Sequence, residues 1–261
     1  MLSFTDQTQH TINLPRIPRR IVSLVPSQTE LLFDLGLNEE VAGITKFCVH
    51  PQQWFHSKPK VGGTKQLNMD AIHALLPDLI IANKEENVKE QVEELINYYP
   101  VWISDVNTLD DAYEMITQVG AITGKERNAL LLVNRIRSKF SQLPHSNQPL
   151  SAAYLIWQNP YMTVGGDTFI HAMLQSAGFY NAFSHLSRYP KVSLEDIRAT
   201  NCDLVFLSSE PYPFKRKHID ELQSELPTTR LVLVDGEMFS WYGSRLAEAP
   251  AYFEKLSART L

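Results

Sequence analysis

Cysteine is scarce: Cys48 and Cys202 are the two in 261 residues, and they lie in different halves of the chain. A disulfide framework is therefore not expected, and the paired spacing of a structural zinc site is missing. Long apolar runs are missing too, since no stretch approaches the ~18 residues of a membrane helix. Basic charge is not in excess: the formal net charge is −5 and the Lys and Arg are scattered, which argues against nucleic acid as a partner. No Gly-x-Gly-x-x-Gly, P-loop or His-Glu-x-x-His occurs, and no catalytic residue can be assigned, so an enzyme is not expected. Met1-Leu-Ser-Phe-Thr-Asp-Gln7 shows no basic n-region, apolar h-region or lipidation cysteine. As it stands the sequence reads as cytoplasmic; with an export signal removed it would be periplasmic or otherwise extracytoplasmic.

What is present is an alternation of short apolar runs and helical stripes, at a hydrophobic content of 44% that supplies real cores. Thr11–Leu14 reads as a short edge strand and Ile21–Val25 as a buried one. Pro26-Ser-Gln-Thr-Glu30 follows at once; Ser27 with Glu30 reads as a capping box opening a helix that Gly36 closes. Further strands are expected at 41–44, 78–82, 101–104, 152–157, 203–207 and 231–234, with helices among them at 68–75, 86–97, 109–123, 168–177, 193–199 and 215–225. Asp167 is expected to cap the helix after Gly165-Gly166. Thr45–Gln66 and Asp235–Arg245 read as loops, and long loops are often functional.

One stretch organises the rest. In Lys125–Leu143, Ala129, Leu132, Val133, Ile136, Phe140 and Leu143 recur at steps of three or four, the apolar stripe of a helix. Pro144 and Pro149 would stop it. At about 1.5 Å per residue it runs roughly 28 Å. On either side a pattern repeats without gaps: Asn68–Ile72 and Asp78–Ala82 match Ser193–Ile197 and Asp203–Leu207 at an offset of 125. The expected fold is α/β: two similar lobes with parallel sheets flanked by helices, 1–124 and 144–261, joined by one long rigid backbone helix, 125–143. Open parallel sheets bind ligands beyond the carboxyl ends of their strands, so those loops should share one cleft.

Arg20-Ile-Val-Ser-Leu-Val-Pro-Ser-Gln-Thr-Glu-Leu-Leu-Phe-Asp-Leu-Gly36, Val61-Gly-Gly-Thr64, Leu76-Pro-Asp-Leu-Ile-Ile-Ala82 and the central helix together resemble the substrate-binding proteins of ABC transporters for vitamin B12 and iron chelates. The resemblance covers residues 4–258 and is closest to the B12-binding members. It implies a monomer that holds a metal chelate, foremost a cobalt corrinoid, in a largely preformed cleft, with no intrinsic cofactor or resident metal. A ferric siderophore or haem is the alternative, as is a cytoplasmic protein of the same fold that handles a metal cofactor. An ABC permease is the implied protein partner.

The resemblance places Pro26, Ser27 and Gln28 at the ligand, and matches Phe47 and His50 to ring-bearing positions and Tyr189 to a cleft Trp. Trp157, Phe239, Trp241 and Tyr242 lie in second-lobe loops expected to line the same cleft, and aromatic faces suit a flat macrocycle. Trp241-Tyr242 inside Ser-Trp-Tyr-Gly-Ser looks hard to bury in a core. Glu237 matches an acid that contacts ligand. Thr64 and Asn83 stand where the B12-binding members carry Trp, which keeps a more polar ligand open, and Lys65 and Lys84 beside them are candidates for its carboxylates or amides. Asp70 and Glu195, at matching repeat positions, are the acids the resemblance assigns to docking on permease arginines. Cys48 and His50 on one loop are a weak pair of metal donors.

Overall fold

The computed structural model describes residues 1–144 and 148–260. The chain forms two compact units. Unit 1 comprises Met1–Val106, Asp110–Ile136 and Tyr242–Arg245; unit 2 comprises Asn107–Leu109, Arg137–Trp241 and Leu246–Leu261. The junction residues 145–147 and the last residue of the expected 144–261 lobe lie outside the described residues.

Unit 1 opens with an antiparallel hairpin, β1 (Leu2–Thr5) and β2 (Thr11–Leu14). Its turn is fixed by the buried Asp6 carboxylate, which accepts the N–H groups of Thr8, His10 and Ile103. Next come β3 (Ile21–Ser23), α1 (Pro26–Asp34), β4 (Val41–Ile44), α2 (Gln52–Ser57), α3 (Met69–Leu75), β5 (Leu79–Asn83), α4 (Lys89–Ile96), β6 (Val101–Ser104) and α5 (Leu109–Ile122). The four strands β3–β6 form a parallel sheet in the order β4-β3-β5-β6. β5 is buried at every position, as a central strand covered on both faces must be.

α6 (Glu126–Phe140) is the helix the sequence centres on, shorter at both ends than its stripe suggested. Ala129, Val133, Ile136 and Phe140 are its buried side, while Leu130 and Leu131 face solvent. Gly120 of α5 lets α6 approach closely: a Cβ there would lie 2.3 Å from the Cβ of Ala129. α6 is divided between the units after Ile136, and it is not the sole link, because 107–109 and 242–245 also pass from one unit's sequence into the other's fold.

Unit 2 holds β7 (Leu150–Leu155), α7 (Phe169–Ser176), β8 (Phe179–Asn181), α8 (Leu194–Ala199), β9 (Leu204–Ser208), α9 (Arg216–Glu225), β10 (Arg230–Val234), α10 (Glu237–Ser240), a 3-10 turn at Ser244–Ala247 and α11 (Ala249–Thr260). Its parallel sheet runs β10-β9-β7-β8. Numbered within each sheet, both have the order second, first, third, fourth. β9 begins and ends 125 residues after β5, Leu204 against Leu79 and Ser208 against Asn83, so the repeat read from sequence is a repeat of topology. Its caps repeat too: the Asn68 side chain accepts from Ala71 N–H, and Ser193 forms a capping box with Asp196.

Four local expectations fail, the first that Asp235–Arg245 is a loop, since it contains α10 and the start of the 3-10 turn. Ser27 does not cap α1; Val25 occupies that position, and Pro26 starts the helix, where its missing N–H costs nothing. Thr168, not Asp167, caps α7, since its hydroxyl accepts from His171 N–H, while Asp167 Oδ1 accepts from Arg188 N–H at 2.5 Å. The 45–66 segment is not wholly irregular, because it contains α2.

Candidate functional site

In each sheet the chain leaves the first strand in one direction and returns on its other side. This makes β3/β5 and β7/β9 the turning points, beyond whose carboxyl ends α/β proteins place ligands. Nearly all of the sequence-expected ligand residues fall on loops or first helical turns beyond strand carboxyl ends, and each unit is taken by itself.

In unit 1 the loop beyond β5 is fastened by amides. Asn83 is buried; its Oδ1 accepts the N–H groups of Glu85 and Glu86, and its Nδ2 donates to Ser104. Asn87 closes the other side, accepting from Asn83 N–H and donating to the Thr64 carbonyl. Asn83 is therefore a loop fastener and not the ligand contact expected of it. Gln28 is likewise buried and donates to Ser104 Oγ, and Ser27 is covered by Gly243, where a Cβ would lie 2.5 Å from the Ser27 carbonyl oxygen. Both correct the expectation of a ligand-facing pair, although Ser27 Oγ and Gln28 Oε1 are buried polar atoms with no hydrogen-bond partner. Pro26 and Thr64 are half-buried.

The two lysines expected to meet a ligand have partners of their own. Lys84 Nζ lies 2.5 Å from Asp105 Oδ2, and Lys65 Nζ donates to the Glu85 carbonyl at 2.5 Å. Phe47 does face outward, 52% exposed, with its ring against Gly63, where a Cβ would come within 2.9 Å of it. His50 is half-buried and close enough to Glu30 to act on its charge. Burial pushes the Glu30 carboxyl up, and the two-pronged Arg245 guanidinium pulls it back; the net direction is upward. The Cys48 thiol is buried between the hydroxyls of Thr29 and Thr45, 3.1 Å from each, and burial pushes its pKa up, so it is no ready metal donor. Among the described residues no group of three His, Cys, Asp or Glu is placed to hold a metal ion.

Tyr242 belongs to unit 1. It is 6% exposed and donates to Glu86 Oε1 at 2.7 Å. Trp241, in unit 2, is 7% exposed and its indole N–H donates to Glu210 Oε1 at 2.9 Å. The expectation that this pair resists burial is thus overturned: each ring is buried because a carboxylate satisfies its polar end. Phe239 is a second correction. It is wholly buried, 4.9 Å from the Phe253 ring and 5.2 Å from Tyr154, and serves the core of unit 2.

Glu210, which the sequence reading passed over, fastens this part of unit 2 by accepting from both Ser240 Oγ and Trp241. Burial raises its pKa, and the nearby Glu237 and Asp235 charges add to the rise against those two hydrogen bonds. Glu237 itself is half-buried, its N–H held by Asp235 Oδ1. The repeat offers a signal that could have found Glu210, because it stands 125 residues after Glu85. Trp157 is 41% exposed beyond β7, and Tyr189 is half-buried with the Arg188 guanidinium 5.7 Å from its ring. A groove of about 570 Å³ elsewhere on unit 2, lined by Tyr180, Phe183, His185 and Lys191 among others, includes none of the expected ligand residues.

Asp70 and Glu195 are both exposed in the first turns of α3 and α8. A backbone amide at the start of α8 holds the Glu195 carboxyl below its usual range, helped by Ser193 and by Arg198 at 3.1 Å. No described helix is long and apolar enough to cross a membrane.

Comparison with known proteins fits this frame. The chain is 24% identical to an uncharacterized ABC transporter substrate-binding lipoprotein, YvrC, of Bacillus subtilis, over 95% of this chain and 82% of the relative. It is 24% identical to the vitamin B12-binding protein of Pectobacterium carotovorum over 88% and 85%. Among solved structures, the periplasmic vitamin B12 binding protein BtuF of Vibrio cholerae superposes with a TM-score of 0.78 at 20% identity, covering 94% of this chain and 99% of that one. The siderophore binding protein BauB, bound to ferric iron and two molecules of acinetobactin, gives 0.80 at 18%, covering 97% of each. At these identities the structural likeness shows the fold. Members of the family are substrate-binding proteins of transport systems and not enzymes. With residues 21–232 matching its model, the chain belongs to the periplasmic binding protein family.

Proposed function

We propose that the chain binds a metal-chelate small molecule, foremost a corrinoid, for delivery to an ABC importer. The observation that carries this reading is the pair of rings left open at the carboxyl edges of the two sheets, Phe47 in unit 1 and Trp157 in unit 2. Every other aromatic expected at the ligand is buried or half-buried, and each of these two, in its own unit, offers an open apolar face of the kind a macrocycle needs. His50 in unit 1 and Tyr189 and Glu237 in unit 2, all half-buried, are the polar residues proposed to meet the ligand. Asp70 and Glu195 are the carboxylates proposed to meet permease arginines, and delivery of this kind places the mature protein outside the cytoplasm.

Titration with cyanocobalamin, haemin and a ferric siderophore, followed by calorimetry and absorbance, tests this. Saturable binding of cyanocobalamin is expected, and failure of all three removes the proposal. The polar Thr64 and the absence of a ring at Asn83 favour a second reading, a ferric siderophore, which the same titration would reveal as binding of that chelate in place of cyanocobalamin.

A further inference from the structure

Beyond β7 and β9, the turning point of unit 2, two loops are tied together by a side chain that nothing above assigns to the ligand. Trp157 is the exposed one of four tryptophans; Trp54, Trp102 and Trp241 are all buried. Its indole and the Tyr212 ring meet edge to face, centroids 5.6 Å apart and planes at 65°. Tyr212 in turn packs on Phe214 at 4.8 Å and on His218 at 5.5 Å, both of them buried.

A polar relay follows the same path. Lys215 N–H donates to His218 Nδ1 at 2.7 Å. That bond needs a lone pair on Nδ1, so the neutral ring carries its proton on Nε2, which faces the Tyr212 hydroxyl at 3.3 Å. With its oxygen accepting from His218, Tyr212 donates its own proton to Gln158 Oε1 at 2.8 Å. The Tyr212 main-chain N–H also donates to the Ile156 carbonyl at 3.3 Å. Backbone, ring and hydroxyl of one residue thus hold 156, 157 and 158 in sequence.

We infer that Tyr212 is the positioning residue of the binding surface: with the His218 relay behind it, it presents the Trp157 indole as a fixed flat face for a planar, π-conjugated part of the ligand. For its ligand the inference rests on the proposed function; the positioning rests on the geometry alone. An exposed indole on a loop ordinarily has to be ordered when a ligand arrives, and prior fixing removes that cost from binding. An edge-to-face contact covers at most one face of the indole, and with Trp157 41% exposed the ring keeps open area for stacking.

Acrylamide quenching reads Trp157 selectively, with Trp157→Phe giving the background of the three buried tryptophans. Tyr212→Ala should raise the quenching constant about twofold and weaken binding of the bound chelate, cyanocobalamin or haemin, about fivefold. Tyr212→Phe, which keeps the ring and drops both hydroxyl bonds, should fall between. Should Tyr212→Ala not fold, Gln158→Leu, which removes the acceptor of the hydroxyl and leaves the ring, should shift quenching in the same direction. Unchanged quenching in these variants overturns the inference, as does changed quenching with wild-type affinity. If cyanocobalamin, haemin and the ferric siderophore all fail to bind the wild-type protein while the quenching pattern holds, the functional proposal falls and the positioning of Trp157 stands.

Discussion

Beyond β5, unit 1 fixes its loop with amides: Asn83 accepts from Glu85 and Glu86 N–H, Asn87 accepts from Asn83 N–H, and Lys65 and Lys84 bond the Glu85 carbonyl and the Asp105 carboxylate. Beyond β7 and β9, unit 2 fixes its loops with rings and one half-buried acid, Tyr212 under Trp157 and Glu210 under Trp241. The strand order beneath is the same in both. A duplicated frame has kept its topology and its helix caps while its carboxyl-edge loops diverged, one edge polar with a single open ring and the other aromatic. Scaffold and loops thus answer to different demands: buried strands are constrained by packing, loops by whatever they touch.

Six substitutions in four tests probe that contrast, in decreasing order of expected effect. Arg245→Ala leaves the Glu30 carboxylate buried without its guanidinium, and should cost roughly 3 kcal/mol of stability in urea unfolding. A loss under about 1 kcal/mol would mean the pair does not fasten Tyr242–Arg245 in unit 1. Trp157→Ala should weaken chelate binding by about 2 kcal/mol and Phe47→Ala by about 1 kcal/mol, measured by calorimetry. Equal losses would erase the asymmetry between the edges.

Asn68→Ala and Ser193→Ala test what the repeat preserves. Each removes the cap of its helix and should cost about 1 kcal/mol of stability, with near-equal losses. Glu210→Gln gives the smallest effect and a sign. Its folded pKa is raised, so the folded state holds its proton more tightly than the unfolded state, and wild-type stability falls as pH rises from the ordinary glutamate range through the raised value. The amide keeps an oxygen for Ser240 and Trp241, so the variant should match or exceed wild type at pH 7 and lose that advantage near pH 4. A variant that is weaker at pH 7 and unaffected by pH would mean the charge itself is required.

Much of the frame was legible because its signals are local. Buried parallel strands read as apolar runs at 78–82 and 203–207, one residue short of β5 and β9 at the carboxyl end, and the gapless offset between them marks the repeat. β8 was not legible: its three residues, Phe179–Asn181, carry no period and no continuous apolar run. Ser27 looked like a cap because the capping-box spacing ignores that proline prefers the first helical position. The site was less legible than the frame, and for one reason. Residue type signals that Asn83, Trp241 or Phe239 is special without showing whether its partner is the protein or a ligand; Glu210 and Ser104 decide that, and they lie far off in sequence.

The open ring of unit 2 either meets the ligand or it does not. The direct measurement is the emission of Trp157 during titration with whichever chelate binds, taken as the difference between wild type and Trp157→Phe. Absorbing chelates quench nearby indoles, so the difference signal should vanish at one equivalent, along the same curve as the calorimetric heat. A Trp157 emission that persists at saturation would place the chelate elsewhere and contradict the account.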